Sequence, residues 1–83
     1  MPSIDKSELI SLIETTLEQE SGSLNEGSVA EDIEKWDSLG HLSVLVALDA
    51  HCDGQVASIS EMASADSIPK IIEILSNNSL IKD

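Results

Sequence analysis

The stretch that decides the fold is WDSLGHLSVLVALDAH, residues 36–51, which predicts a helix that begins at Ser38 and ends at His51. Asp37 is a suitable N-cap for this helix, and Gly54 follows just beyond its expected end. Its apolar content marks it as the central helix of the chain.

Two apolar stripes run along this helix, whereas a surface helix normally has one. At 100° per residue, one stripe contains Val44, Leu45, Leu48 and Cys52, and the other contains Leu39, Leu42, Val46 and Ala50. The first stripe is expected to pack in the core. The second either packs against further neighbours or meets partner proteins, and its start beside Ser38 favours a partner surface.

End signals place three further helices, at about residues 6–20, 59–64 and 67–76. Asp5 and Glu8 form a capping-box pair for the first, and Asp66 is expected to cap the last. Residues 21–37 form a long loop between the first two helices, and the last five residues are expected to fray. The sequence therefore predicts a single all-α domain over residues 1–83, a four-helix bundle with a short third helix.

The composition is that of a small acidic domain with an aliphatic core. The chain has sixteen acidic residues and four lysines, so its net charge is −12, and Trp36 is its only aromatic residue. Such a surface repels nucleic acid and anionic membranes and attracts basic protein surfaces. With a single cysteine and no recognisable signal or spanning segment, we expect a cytoplasmic monomer that neither binds nucleic acid nor inserts into a membrane.

Ser38 is expected at the first position of the central helix. Unpaired backbone N–H groups and the positive end of the helix dipole favour an anion at such a place. Asp37 can cap the helix and leave the Ser38 hydroxyl pointing outward. Taken alone, however, an Asp-Ser pair is also what an ordinary helix start looks like.

Over essentially its whole length the chain resembles the acyl carrier protein family. Asp37-Ser38-Leu39 matches the attachment motif of the family, and the hydrophobic positions that follow are matched by Leu42, Val44, Leu45, Ala47 and Leu48. The resemblance implies that Ser38, flanked by Asp37 and Leu39, receives 4′-phosphopantetheine from coenzyme A. The thiol of that arm would carry acyl or aminoacyl groups as thioesters, and the carrier itself would catalyse nothing.

The resemblance also implies a set of partner proteins. They are a phosphopantetheinyl transferase, an acyl- or aminoacyl-loading enzyme, and an acceptor transferase or synthase with a basic or apolar docking surface. The residues expected to dock on them are Leu39, Leu42, Val46 and Ala50.

Several residues depart from the family pattern. Gly40, Ser43 and Ala50 stand where acidic residues are common, so we expect recognition to depend more on apolar contacts, as in a carrier of a specialised pathway. Lys35 stands where many members have glycine, with the bulky Trp36 beside it. That bulk keeps a second interpretation open, an unmodified helical adaptor with the carrier fold.

Two individual residues of the central helix allow alternative interpretations. Gly40 lowers helix stability by about 1 kcal/mol relative to alanine. The glycine either loosens the first turn of the helix or is required because a neighbouring group packs closely against it. His41 lies either at the mouth of a substrate pocket or simply as a partly exposed neighbour of the core.

The sequence matches neither a hydrolytic triad nor a complete calcium-binding loop. Asp37, Ser38 and His41 share one helical turn and cannot form the relay of a hydrolytic triad, so no catalytic residue is expected. Residues 49–60 resemble part of a calcium loop, but His51 and Ser60 occupy places where ligands are needed, so no metal site is expected.

Overall fold

The structure, a computed structural model, describes residues 3–82. Most of this part of the chain is helical, as the sequence predicts. Its three α-helices are α1 (Lys6–Thr16), α2 (Ser38–His51) and α3 (Ile68–Asn77), and two 3₁₀ helices, Ala30–Asp32 and Ser60–Ser64, lie in the connections. Two short strands, β1 (Ile4–Asp5) and β2 (Ile81–Lys82), pair in parallel. The predicted domain limits, residues 1 and 83, lie outside the described residues.

The predicted third α-helix, residues 59–64, is instead the 3₁₀ helix Ser60–Ser64, which we call the 60–64 turn. It is only five residues long, and its N-cap residue Ile59 makes no side-chain hydrogen bond to it. The 3₁₀ conformation is typical of such short pieces. Together with the strand pair, this difference makes the prediction of an all-α chain with four α-helices only partly right.

Helix α1 begins as predicted and ends earlier than predicted. The Asp5 carboxylate accepts a hydrogen bond from the Glu8 N–H at 2.7 Å, and the Glu8 carboxylate accepts one from the Asp5 N–H at 3.2 Å. This is the expected capping box. The helix stops at Thr16 rather than at residue 20, because the chain turns at Glu18, whose φ of 58° is left-handed and cannot continue a right-handed helix.

The long loop between α1 and α2 is held at two places. In its first part, the buried Glu14 accepts hydrogen bonds from the backbone N–H groups of Gly22 and Leu24, at 2.9 and 3.0 Å. Near its middle, residues 28–30 run antiparallel to residues 66–68 and exchange backbone hydrogen bonds with them. The loop is therefore a packed part of the fold.

Helix α3 is capped by Ser67 rather than by Asp66. The Ser67 hydroxyl accepts a hydrogen bond from the Lys70 N–H at 3.2 Å. The helix starts one residue later than predicted, at Ile68, so the capping position moves with it. Asp66 instead forms an ion pair with the Lys70 ammonium group at 3.0 Å.

The C-terminal segment does not fray as predicted. Ile4 pairs with Ile81 in the parallel strand register, and the Ile4 N–H donates to the Leu80 carbonyl at 2.9 Å. The Leu80 side chain is buried. Residues 79–82 are therefore part of the fold, and Asp83 lies outside the described residues.

The hydrophobic core is formed where the three α-helices meet. Its fully buried side chains include Leu9, Ile13, Val44, Leu48, Ile71 and Leu75. This aliphatic core is the one that the composition predicts. Within residues 3–82, none of the helices combines the length and the apolar character needed to cross a membrane.

Candidate functional site

Ser38 is the exposed first residue of α2. Asp37 caps the helix by accepting a hydrogen bond from the Gly40 N–H at 2.9 Å. The Ser38 hydroxyl takes part in none of the side-chain hydrogen bonds formed among residues 3–82, so it is free to react. The N–H groups of Ser38 and Leu39 lie in the first turn, where backbone donors have no intrahelical acceptor.

Gly40 is needed for packing. A Cβ at this position would overlap the carbonyl oxygen of Lys35 and would stand 3.0 Å from Cδ2 of Leu17. The Lys35 carbonyl belongs to the backbone that leads into Ser38, so it can move only if that backbone shifts. Of the two interpretations of Gly40, the structure supports the packing need. The same contact explains why an acidic side chain has no room here.

Trp36 is buried, with 4% of its surface exposed. Its indole Nε1–H donates a hydrogen bond to Nδ1 of His41 at 2.9 Å, and the two rings are stacked with centroids 6.1 Å apart. The bulk of Trp36 therefore lies inside the fold and not over Ser38.

His41 is half-buried and joins α2 to the 60–64 turn. Its Nε2 lies 2.7 Å from the carbonyl oxygen of Met62. Both ring nitrogens consequently have partners within the chain. These contacts were not predicted from the sequence. A buried indole N–H usually has an acceptor, and a histidine five residues away is a candidate for it.

The second apolar stripe of α2 lies on the outside of the molecule. Leu39, Leu42 and Val46 are 76%, 57% and 62% exposed, and Ala50 is exposed as well. In the first stripe, Val44, Leu48 and Cys52 are buried and Leu45 is partly buried against the core. The structure therefore places all four predicted docking residues at the surface, on a stripe that begins beside Ser38.

Two cavities flank the 60–64 turn. A cleft of about 450 Å³ beside Ser38 is also lined by Trp36, His41, Ala63 and Asp66. An apolar groove of about 320 Å³ lies between α2 and residues 56–63, and its lining includes Leu42, Leu45, Val46, Ile59, Met62 and Ala63. Ser38 opens onto the cleft, and the exposed stripe borders the groove.

Ion pairs near the site involve exposed side chains. The Lys35 ammonium group lies 3.0 Å from the Glu18 carboxylate, and this hydrogen bond raises the pKa of Lys35. The hydrogen bond from Lys70 lowers the pKa of Asp66, which lines the cleft. Pairs as exposed as these contribute little to stability. At longer range, the net charge of −12 is the main electrostatic feature of the molecule.

The segment that resembles a calcium loop has a structural role. The Asp49 carboxylate accepts hydrogen bonds from the backbone N–H groups of Val56 and Ala57, at 3.1 and 2.8 Å. It thereby fixes the turn that follows α2. Over residues 3–82, no three His, Cys, Asp or Glu side chains are grouped so that they could hold a metal ion.

Comparisons of the chain with protein-family models, curated proteins and solved structures found no match. Function is therefore inferred from the residues of this chain and their geometry.

Proposed function

We propose that this protein is an acyl carrier protein of a specialised biosynthetic pathway, with 4′-phosphopantetheine attached to Ser38. The observation that carries the proposal is the placement of Ser38. Ser38 is an exposed residue at the start of α2, its hydroxyl makes no side-chain hydrogen bond with the rest of residues 3–82, and the neighbouring Asp37 supplies the helix cap. In this proposal α1, α2 and α3 are the three long helices of a four-helix carrier fold, and the 60–64 turn stands for the short third helix.

The residues around Ser38 suit the proposed group. A phosphodiester on the Ser38 oxygen would lie at the positive end of the α2 dipole, beside backbone N–H groups that have no intrahelical acceptor. The adjacent cleft has Ser38, His41 and Asp66 in its wall and leaves room for the first part of a flexible arm. When bound, the arm supplies a terminal thiol, and acyl or aminoacyl cargo is carried on it as a thioester.

Attachment requires a separate Mg²⁺-dependent transferase and coenzyme A. Ser38 Oγ attacks the phosphorus atom that bears the pantetheine chain and forms a new P–O bond. The bond from that phosphorus to the bridging oxygen of the pyrophosphate breaks, and adenosine 3′,5′-bisphosphate leaves. The transferase accepts the hydroxyl proton. The chain itself contributes the exposed nucleophile and a helix end that tolerates the resulting negative charge.

The position of Trp36 favours the carrier over an unmodified adaptor. Trp36 is 4% exposed, so its ring cannot hinder a transferase that approaches Ser38. Lys35 is exposed but is held by its ion pair with Glu18. The indole of Trp36, which is the bulkiest group before the serine, is thus packed into the fold in the wall of the cleft.

Partner enzymes are proposed to dock on Leu39, Leu42, Val46 and Ala50. These side chains form an apolar surface beside Ser38, within a molecule of net charge −12. Long-range attraction then favours partners with basic surfaces, and close recognition depends on apolar contact. As proposed, the carrier is a monomer that acts in the cytoplasm, does not bind nucleic acid and does not insert into a membrane.

The proposal is tested by incubating the purified chain with coenzyme A and a broad-specificity phosphopantetheinyl transferase, and then measuring its intact mass. Wild type and Ser43→Ala are expected to gain the mass of one phosphopantetheine, and Ser38→Ala is expected to gain nothing. Ser43 is a suitable control, because it is an exposed serine on the same helix. A wild-type chain that is not modified by any transferase would favour the adaptor.

A further inference from the structure

The imidazole of His41 has a defined protonation pattern. An indole N–H can only donate, so the bond from Trp36 requires Nδ1 of His41 to be an acceptor. In the neutral ring, the proton then resides on Nε2, which donates to the Met62 carbonyl at 2.7 Å. His41 thus uses both nitrogens to tie the end of the long loop and the 60–64 turn to α2.

The hydrogen bonds that join the 60–64 turn to its flanking residues are long. The Met62 N–H donates to the Ile59 carbonyl at 3.1 Å, and the Ala65 N–H donates to the Met62 carbonyl at 3.2 Å. The N-cap residue Ile59 makes no side-chain hydrogen bond to the turn, and 3₁₀ geometry is weak in itself. The buried Met62 side chain and the bond from His41 to the Met62 carbonyl both hold this turn against α2.

This bond lies where the two cavities meet. His41 lines the cleft beside Ser38, Met62 lines the apolar groove, and Ala63 lines both. A shift of the 60–64 turn away from α2 would widen the groove. At about 320 Å³, the groove in its present form is at the lower end of the range for small-molecule pockets.

We propose that His41 is a positioning residue that limits the size of the apolar group this carrier can shelter. By holding the Met62 carbonyl against α2, it keeps the groove narrow, so a short carried group fits and a longer one stays exposed to solvent. His41 does not bind the cargo itself, because both of its nitrogens already have partners. This inference rests on the proposed attachment of the arm to Ser38.

The test compares two cargo lengths on four chains. Wild type, His41→Leu, His41→Gln and Trp36→Phe are each loaded by the transferase with butanoyl- or octanoyl-4′-phosphopantetheine from the corresponding acyl coenzyme A. The rate at which hydroxylamine cleaves each thioester is then measured. Leucine removes both hydrogen bonds of His41, and glutamine can replace both, since its amide has one acceptor and one donor group. Trp36→Phe removes the bond that fixes the proton on Nε2, and it also leaves some space in the core because Trp36 is buried.

In wild type, we expect hydroxylamine to cleave the octanoyl thioester faster than the butanoyl one, because only the shorter group fits in the groove. In His41→Leu, cleavage of the octanoyl thioester should slow by about fivefold relative to the butanoyl one, which is the factor that a hydrogen bond of typical net strength supplies. Trp36→Phe should change the ratio in the same direction, and His41→Gln should restore it towards wild type. If His41→Leu does not fold, Trp36→Phe provides the comparison.

Hydrogen exchange separates this effect from a general loss of stability. The Met62 and Ala65 amides should exchange faster in His41→Leu, while the amides of α1 and α3 remain as in wild type. An octanoyl-to-butanoyl ratio that stays constant in loaded, folded variants overturns the inference and leaves the carrier proposal intact. If wild type cannot be loaded at all, the proposed function and the inference both fail.

Discussion

Val44 and Val46 lie two positions apart on α2, and one is fully buried while the other is 62% exposed. Both residues are valines on the same helix, so their difference in burial comes from the side of α2 on which each lies. Val44 belongs to the buried stripe and Val46 to the exposed stripe. This contrast provides a matched pair of sites for testing the proposed docking surface.

Val46→Asp and Leu42→Asp should leave the helical circular dichroism of the chain nearly unchanged. Both sites are more than half exposed, so the carboxylate stays in water and the free energy of unfolding should change by no more than about 0.5 kcal/mol. The rate of Ser38 modification by the transferase, or of transfer by a partner enzyme, should fall because the apolar contact is lost.

The control is Val44→Asp. It places an unpaired carboxylate in the core and should unfold the chain. If Val46→Asp unfolds the chain as readily as Val44→Asp does, the exposed stripe belongs to the core and the docking proposal is wrong.

Gly40→Ala should destabilise the fold, although alanine favours helices. The propensity gain is about 1 kcal/mol, whereas overlap with the Lys35 carbonyl costs about 1–3 kcal/mol. We therefore expect a lower midpoint of urea unfolding than in wild type. Ser43→Ala, at an exposed site on the same helix, should leave the midpoint unchanged or raise it slightly. Equal midpoints for the two variants would contradict the close contact at Gly40.

Glu14→Ala should loosen the first part of the long loop. The substitution leaves the N–H groups of Gly22 and Leu24 without their acceptor, and an unsatisfied buried donor costs about 1–3 kcal/mol. Urea unfolding should show a loss of this size, and hydrogen exchange should accelerate at both amides. Glu14→Gln keeps one oxygen acceptor and should lose less, and the exposed neighbour Thr15→Ala should behave as wild type. Unchanged exchange at Leu24 in Glu14→Ala would show that another group holds the loop.

Cys52 should react slowly with alkylating reagents in the native protein at pH 8. Burial raises the pKa of its thiol, and the nearby Asp49 carboxylate raises it further, so little thiolate forms. Native apo chain should therefore show no fast thiol, and denatured chain should show one. After modification of Ser38, one fast thiol should appear, that of the arm. Rapid alkylation of Cys52 in the native apo chain would contradict its burial.

The raised pKa of Cys52 also gives stability a pH dependence. The folded state favours the neutral thiol, so this contribution is fully present below the ordinary thiol pKa of about 8.5 and is lost as the pH rises through the folded-state pKa. The free energy of unfolding of wild type should therefore fall more steeply above about pH 8.5 than that of Cys52→Ala. Parallel pH profiles of the two chains would exclude the effect.

The starts of α1 and α2 could be predicted from the sequence because their signals are local. Asp5 with Glu8 and Asp37 before Ser38 each act within one turn, and the structure shows both caps. Helical periodicity also placed Val44 and Val46 in different stripes, although the exposure of the second stripe became clear only in the fold. The caps and the two stripes needed no knowledge of how the chain folds back on itself.

Features that depend on distant parts of the chain were missed. The end of α1 at Thr16 is set by a left-handed residue, Glu18, which is not a glycine and gives no composition signal. The 60–64 turn, the hydrogen bond between Trp36 and His41, and the pairing of Ile4 with Ile81 appear only when separate segments meet. For the same reason, Trp36 looked in the sequence like an obstacle beside Ser38, whereas in the fold it supports the site from inside.

The parallel pairing of β1 with β2 has a consequence for the order of folding. Ile4 and Ile81 are separated by nearly the whole chain, so their pairing closes a very large loop and carries the greatest entropy penalty of any contact in the fold. Contacts between α1 and α2 close a much shorter loop and are expected to form earlier. The strand pair is then expected to form mainly after the transition state for folding. Leu80→Ala should accelerate unfolding in stopped-flow experiments and leave the refolding rate almost unchanged.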